Sequence, residues 1–254
     1  MPADEQIAEV IVAAHAARHL LTAPLAGEPM DDPRAYRIQG YVTQARLDRG
    51  EGIVGWKLGY TSQAMRQQMG ISEPNFGPLT DAMILRSPAV VPATVTQPRV
   101  EPEIALVIGA DGHSVLAHAA LEVVDSVWMD YSFTWAENTA DGSSAAYVVV
   151  GPELPQADLR EVAVELSVGS ATVAQGTGAA AMGDPLAALD WLRGQLVGHP
   201  RGLVAGDVVI TGGLTAAFPL DIGMVARATF LGAVVEVTRA QGAMSQPGMG
   251  VLGP

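Results

Sequence analysis

The chain predicts an α+β fold, with N-terminal helices leading into a mixed, largely β body, and three observations carry that prediction. Apolar residues recur at helical spacing in the first fifty positions, from residue 53 the texture changes to short β-rich runs broken by glycine and proline, and one later helix is marked near residue 184.

Ile7, Val10, Ile11, Ala14 and Leu21 fall at helical spacing behind Asp4, which predicts a first helix capped by that residue. Asp32-Pro33 predicts a second, a cap followed by proline at the first helical position, that buries Tyr36, Tyr41, Val42 and Ala45 and ends at Gly50. Ile53 to Tyr60 reads as a strand, Ser62 to Met69 as a short helix capped by Ser62 and closed by Gly70, and Val100 to Ile108 as another strand. Val162, Val164, Leu166 and Val168 alternate up to Gly169-Ser170, and Val173 resumes the pattern, which predicts a hairpin. A helix follows from Asp184-Pro185 to Leu196, then strands at Val208 to Thr211, Met224 to Phe230 and Val234 to Thr238. No repeat or low-complexity linker divides the chain, so residues 1–254 are expected to be one catalytic domain: a helical arm over 1–50, a β-rich metal-binding body over 51–240, and a flexible Gly-, Met- and Pro-rich tail over 241–254.

Composition narrows the function. Apolar residues make up 49% and charged residues 16%, as in a globular chain that buries a substantial core. The net charge of -13 argues against nucleic-acid phosphates and anionic membranes as partners, because both need basic surface. There is no cysteine, which excludes disulfides, thiolate catalysis and Cys-ligated zinc. The apolar stretch from Ile7 to Leu21 is interrupted by Glu9, His15, Arg18 and His19, so it is expected to be neither a signal peptide nor a membrane span, and the protein is expected to be cytoplasmic.

Lys57 is the one lysine beside thirteen arginines, in Gly55-Trp56-Lys57-Leu58-Gly59. A coding bias toward arginine leaves a stray lysine somewhere; alternatively, lysine is there because burial can lower its pKa into the range where it exchanges a proton, which arginine cannot do. In Val100-Glu101-Pro102-Glu103-Ile104 two carboxylates lie two residues apart, on one face of a strand. Such a pair is either the exposed end of an edge strand or a divalent-cation site. Glu122 stands among apolar neighbours in Ala120-Leu121-Glu122-Val123-Val124, where it must bind metal or neutralise a cation. Three carboxylates suit Mg²⁺ or Mn²⁺ better than zinc, since none of the five histidines lies at ligand spacing to them. His15 and His19, four apart, read as interface or surface residues on one helix face.

These segments resemble the fumarylacetoacetate hydrolase superfamily, and within it the branch of 2-oxopent-4-enoate (2-hydroxypentadienoate) hydratases and 4-oxalocrotonate decarboxylases. The resemblance is carried, in order, by residues 55–61, by Glu73-Pro74-Asn75-Phe76-Gly77, by Gln97 to Ala105, by Ala120 to Val124, by Thr139-Ala140-Asp141-Gly142-Ser143-Ser144 and by residues 206–212. It implies a β-roll or pseudobarrel body of that family's C-terminal-domain type. It also implies a metal site of Glu101, Glu103 and Glu122, Lys57 and Asn75 as catalytic residues, and Tyr60, Thr61, Ser144, Thr211 and Gly212 as substrate contacts. The activity implied is hydration of a 2-hydroxy-2,4-dienoate or 2-oxo-4-enoate through a metal-bound enolate, as in aromatic meta-cleavage catabolism. Homo-oligomers are implied too, with a pathway aldolase or decarboxylase as candidate partner.

Departures keep alternatives in view. Asn75 stands where the hydratases carry an acid, Gly183-Asp184-Pro185 replaces Gly-His-Pro, and the stretch between Glu103 and Glu122 is short. A vinylogous decarboxylase of the 4-oxalocrotonate type ranks second, because neutral Ser132 stands where decarboxylases place a second lysine. Hydrolytic carbon–carbon cleavage ranks third, since no histidine lies between Lys57 and Glu103. A homologue that binds metal and 2-oxo acid with impaired turnover is the reading from another class.

Overall fold

The structure, a computed structural model, describes residues 3–25, 27, 30–63, 66, 67, 70–155 and 158–242. Two helices lead. The first, α1 (Asp4–Ala17), buries Ile7, Ala8, Ile11 and Ala14, while Val10 faces outward at 43% exposure. Asp4 does not cap it. The cap position is Ala3, and Asp4 instead accepts hydrogen bonds from Arg34 Nε (2.8 Å) and Arg37 Nε (3.0 Å), which ties α1 to the next helix. Arg18 turns left-handed (φ 55°) and stops α1, so His19 and Leu21 lie beyond it and the expected i, i+4 histidine face does not form. The second helix, α2 (Asp32–Leu47), is capped one residue earlier than the sequence suggests. Asp31 accepts the Arg34 N–H at 2.8 Å, because Pro33 has no N–H and fits equally well inside the first turn. Its buried face is Ala35, Ile38 and Gln39, with Tyr36 and Val42 half-buried and Tyr41 exposed.

Among the described residues thirteen strands form two sheets. The larger runs β2 (Asn75–Thr80), β1 (Ile53–Gly59), β10 (Val208–Ile210), β5 (Arg99–Ile108), β6 (Val115–Val124), β7 (Ala145–Glu153) and β3 (Ile84–Arg86), with β11 (Phe218–Pro219) beside β5. The smaller runs β4 (Ala89–Val91), β13 (Ala233–Arg239), β12 (Val225–Phe230), β8 (Ala163–Val168) and β9 (Ala171–Thr177). The main core, including Trp56, Ile104, Leu121, Leu166, Phe230 and Val237, joins the two sheets. Helix α4 (Pro185–Gln195), capped by Asp184 as expected, adds Ala188, Leu189 and Leu192 to it. A further helix, α3 (Trp135–Ala140), belongs to a second core with α1, α2, Val127 and Trp128. The N-terminal arm therefore packs on the segment that carries one wall of the site.

The predicted helix Ser62 to Met69 is seen in part. Residues 63, 66 and 67 are helical and Arg66 N–H bonds the Ser62 carbonyl at 3.0 Å, while 64, 65, 68 and 69 lie outside the described residues. Most of the predicted tail, 243–254, also lies outside them. Among the described residues no helix is long and apolar enough to cross a membrane.

Candidate active site

One hairpin places the three acids. Strands β5 and β6 pair so that Glu101 faces Glu122 and Glu103 faces Ala120, which puts all three carboxylates on one face of the ladder. The hairpin closes through Gly112 (φ 75°) and through Asp111, whose carboxylate accepts the N–H groups of His113 and Ser114. Oxygens from the three acids lie within 4.8 Å of one another. Glu103 and Glu122 are buried, and Glu101 is half-buried.

Lys57 arrives on β1, two strands from β5, and buries its ammonium among them. Its Nζ donates to Glu122 Oε2 (2.9 Å) and to the Ser143 carbonyl (2.7 Å). Glu122 Oε1 lies 2.8 Å from the same ammonium but off the hydrogen-bonding direction, and it and Glu103 Oε1 are buried with no hydrogen bond. Glu103 Oε2 is held by the Gly212 N–H at 2.7 Å. Gly212 adopts φ +99°, and a Cβ there would sit 1.9 Å from Thr61 Oγ1.

The electrostatics follow from burial and crowding. Burial, then the charge of Glu122, pushes Glu101 up to about 7 and Glu103 well above the ordinary carboxylate value. Burial alone would lower the Lys57 pKa, as the sequence suggests, but the attraction of Glu122, Glu101 and Glu103 outweighs it and raises the pKa. In the metal-free chain, then, the three carboxylates hold the proton on Lys57 more firmly than on an ordinary lysine, opposite to the direction that burial alone gives. Three oxygen-only donors, two of them with an oxygen lacking a hydrogen-bond donor, and a shared negative potential make a donor set that fits a hard divalent cation.

The cavity beside this cluster has a volume of about 460 Å³. Lys57, Tyr60, Thr61, Glu101 and Ser144 line it, as the sequence suggests, together with Arg99, Tyr131, Phe133, Asn138 and Ser143. The hydroxyls of Tyr60 and Thr61 are buried without a partner, so both can receive a ligand. Three expected residues do not line it. Thr211 and Gly212 stand behind the wall, Thr211 Oγ1 donating to the Ile104 carbonyl at 3.1 Å and Gly212 to Glu103. Asn75 is fully buried and absent from the lining; its Nδ2 donates to Asn138 (3.0 Å) and Thr139 (2.8 Å), and its Oδ1 accepts from Ser143 Oγ (3.0 Å). It braces the loop that binds Lys57 and does not face the reacting space.

Among the lining residues that the sequence does not mark is Asn138, which donates to Ser144 Oγ at 3.0 Å. Its helix α3 has a legible start in Thr134-x-x-Glu137, a reciprocal capping box with the Thr134 N–H on Glu137 Oε2 at 2.8 Å. The wall is also strained. Of eight described non-glycine residues with left-handed backbone, five line the cavity: Tyr60, Asp130, Tyr131, Ser143 and Ser144. Each costs on the order of 1–3 kcal/mol, the pattern of a functional wall held in shape by its surroundings.

Residues 53–246 match the family model described as fumarylacetoacetate (FAA) hydrolase C-terminal. A 2-keto-4-pentenoate hydratase of Paraburkholderia phymatum is 36% identical over 200 residues, covering 72% of this chain and 76% of the relative. A 4-oxalocrotonate decarboxylase of a Pseudomonas species is 32% identical over 206 residues, covering 76% and 80%. Among solved structures, the 4-oxalocrotonate decarboxylase from Pseudomonas putida G7 complexed with magnesium and adipate superposes with a TM-score of 0.86 at 27% identity, over 93% of this chain and 97% of that one.

Proposed function

The chain belongs to the fumarylacetoacetate hydrolase family, and from that membership we propose that it is a divalent-metal-dependent lyase that adds water to a 2-hydroxy-2,4-dienoate or its 2-oxo-4-enoate tautomer. The observation that carries the reading is the cluster of Glu101, Glu103, Glu122 and the Lys57 ammonium, of which Glu101 and Lys57 line the cavity. The hydratase relatives at 36–37% identity support the reaction class.

In this reading the three glutamates hold the cation, Mg²⁺ or Mn²⁺ by the hardness of their oxygens. When bound, the cation supplies Lewis acidity toward the 2-oxygen of the acid. Lys57 holds the proton that moves. Its Nζ, fixed by Glu122 and the Ser143 carbonyl, delivers a proton to the carbon skeleton of the dienol and recovers one from the 2-hydroxyl. The product of that transfer is a conjugated 2-oxo-3-enoate, whose remote carbon accepts the hydroxyl of water while the adjacent carbon takes its proton. Tyr60, Thr61 and Ser144 orient the acid through their hydroxyls, and Leu58, Val124 and Phe133 keep the skeleton out of bulk water. A cytoplasmic homo-oligomer completes the reading, with Val10 and Tyr41 on α1 and α2 exposed to serve as a subunit contact.

A second reaction, decarboxylation of a 4-oxalocrotonate-type acid, is supported by the likeness to the Pseudomonas putida decarboxylase over nearly the whole chain. Incubation with Mg²⁺ and 2-hydroxypenta-2,4-dienoate decides between them: loss of dienol absorbance with formation of 4-hydroxy-2-oxopentanoate is expected. Release of CO₂ from 4-oxalocrotonate without hydration of the dienoate would select the decarboxylase.

A further inference from the structure

Arg99 opens β5 two residues before Glu101, on the same strand face, and lines the cavity half-buried. The other half-buried or buried arginines with contacts are engaged within the chain. Arg46 pairs with Glu51 at 2.8 Å and Arg201 with Asp207 at 2.5 Å, Arg66 donates to the Tyr60 and Thr61 carbonyls, and Arg239 donates to those of Leu220 and Val95. Arg99 differs. Among the described residues its guanidinium forms no ion pair, and it lies over the ring of Tyr131, 4.4 Å from the centroid. Lys57, the other cation of the cavity, is engaged by Glu122. Asp130, also in the lining, is exposed and makes no ion pair with Arg99.

Tyr131 is a fixed platform. Its hydroxyl lies 2.9 Å from the Gln97 carbonyl and 3.1 Å from that of Val124, sharing one proton between them. Its backbone is left-handed at φ 58°. A guanidinium held over such a ring without an ion pair keeps N–H donors for a ligand, and a guanidinium recognises a carboxylate through two parallel hydrogen bonds. With three carboxylates, one ammonium and a divalent cation, the loaded centre sums to zero charge, so attraction for an anionic substrate must come from elsewhere in the wall.

We propose that Arg99, held over the Tyr131 ring, is the receptor for a carboxylate of the substrate and sets the preference of the cavity for acids. The inference deepens the functional reading above and rests on it for the identity of the acid. The test is calorimetric binding, with Mg²⁺ present, of 2-oxopentanoate and 2-oxohexanedioate to the full chain and to Arg99→Gln and Arg99→Lys. These saturated acids cannot be hydrated, so the measurement is independent of turnover.

Arg99→Gln is expected to weaken binding about 10- to 100-fold, as for a lost charge-assisted hydrogen bond, and Arg99→Lys by less, because it keeps the charge without the fork. Mg²⁺ affinity measured without acid should not weaken in either variant, separating a lost receptor from a collapsed site. Weakening of both acids assigns Arg99 to the carboxylate next to the 2-oxygen. Weakening of the dicarboxylate alone assigns it to the distal one. Unchanged affinity for both acids in Arg99→Gln overturns the proposal, and so does equal loss of acid and Mg²⁺ binding in the conservative Arg99→Lys. A protein that hydrates no dienoate yet loses acid affinity in Arg99→Gln would keep this inference and refute the hydratase reading.

Discussion

Lys57 shows how a residue's identity and its state can be separately legible. Its uniqueness among the cations marks the position, but its ionisation depends on partners 65 and 86 residues away in sequence, Glu122 and Ser143. Replacing Lys57 with methionine is expected to lower kcat by about 10² to 10⁴, the usual contribution of a positioned acid–base group. The same change removes a positive charge from beside the carboxylates, so Mg²⁺ binding in calorimetry should tighten. A variant with both activity and Mg²⁺ affinity lost would assign Lys57 a purely structural role. Asn75 teaches the opposite lesson. It stands in a recognisable motif, yet its side chain is spent on Asn138, Thr139 and Ser143, and only the folded contacts reveal that. Thr211 is alike, a hydroxyl whose acceptor is a backbone carbonyl.

At the scale of elements, alternation and caps made the β8–β9 hairpin, β5 and α4 readable. Strands β6 and β7 were not marked. Residues 119–124 of β6 are buried without interruption, so both faces are apolar apart from Glu122 and no period of two shows. The pairing of Glu101 with Glu122 was thus inaccessible to periodicity, although the residues themselves stood out. A test at this scale is Gly213→Ala. A Cβ there would fall 2.3 Å from Glu101 Oε2 and 3.1 Å from the Thr215 carbonyl, so the carboxylate must move. Mg²⁺ affinity should fall at least about tenfold, roughly 1.4 kcal/mol, with little change in thermal stability; unchanged affinity would mean that Glu101 is not a ligand.

The arm contributes a second element-scale expectation. His15 on α1 bonds Asp141 at 2.5 Å, and Asp141 begins the loop whose Ser143 carbonyl holds Lys57. Burial opposes protonation of His15, but the charge and hydrogen bond of Asp141, with Asp125 behind it, raise its pKa. A raised pKa gives stability that is fully present below about 6.5 and is lost as pH rises through the folded value. The His15 side chain is 40% exposed, so screening limits the effect to the scale of a surface pair, below about 1 kcal/mol. The melting temperature of His15→Ala should therefore trail the parent at pH 5.5 and approach it at pH 8.5. A gap that widens with pH would contradict the pairing.

For the whole molecule, the acid cluster makes metal and proton competitors. In the metal-free chain Glu101 is raised from 4.5 to about 7 and Glu103 well above its ordinary value, so the folded state binds protons that the unfolded state has released. Stability must then fall as pH climbs from about 4.5 through 7. Scanning calorimetry with chelator should show that decline, while saturating Mg²⁺ should shift the melting temperature by more at pH 8 than at pH 5.5. A shift independent of pH would place the cation elsewhere. The α+β class, the arm and the β body were readable from texture alone. The folding of α1 and α2 onto Val127 and Trp128 was not, because that contact joins segments about a hundred residues apart with no shared pattern.

The β5–β6 hairpin keeps its chemistry at one end and its turn at the other. Residues 109–114 close the ladder, whereas Glu101 and Glu122 pair near its open end. Evolution can thus lengthen or trim that tip as an outlying parameter, and a protein engineer could transplant residues 99–124 as a self-contained cassette that brings every acid of the centre with it.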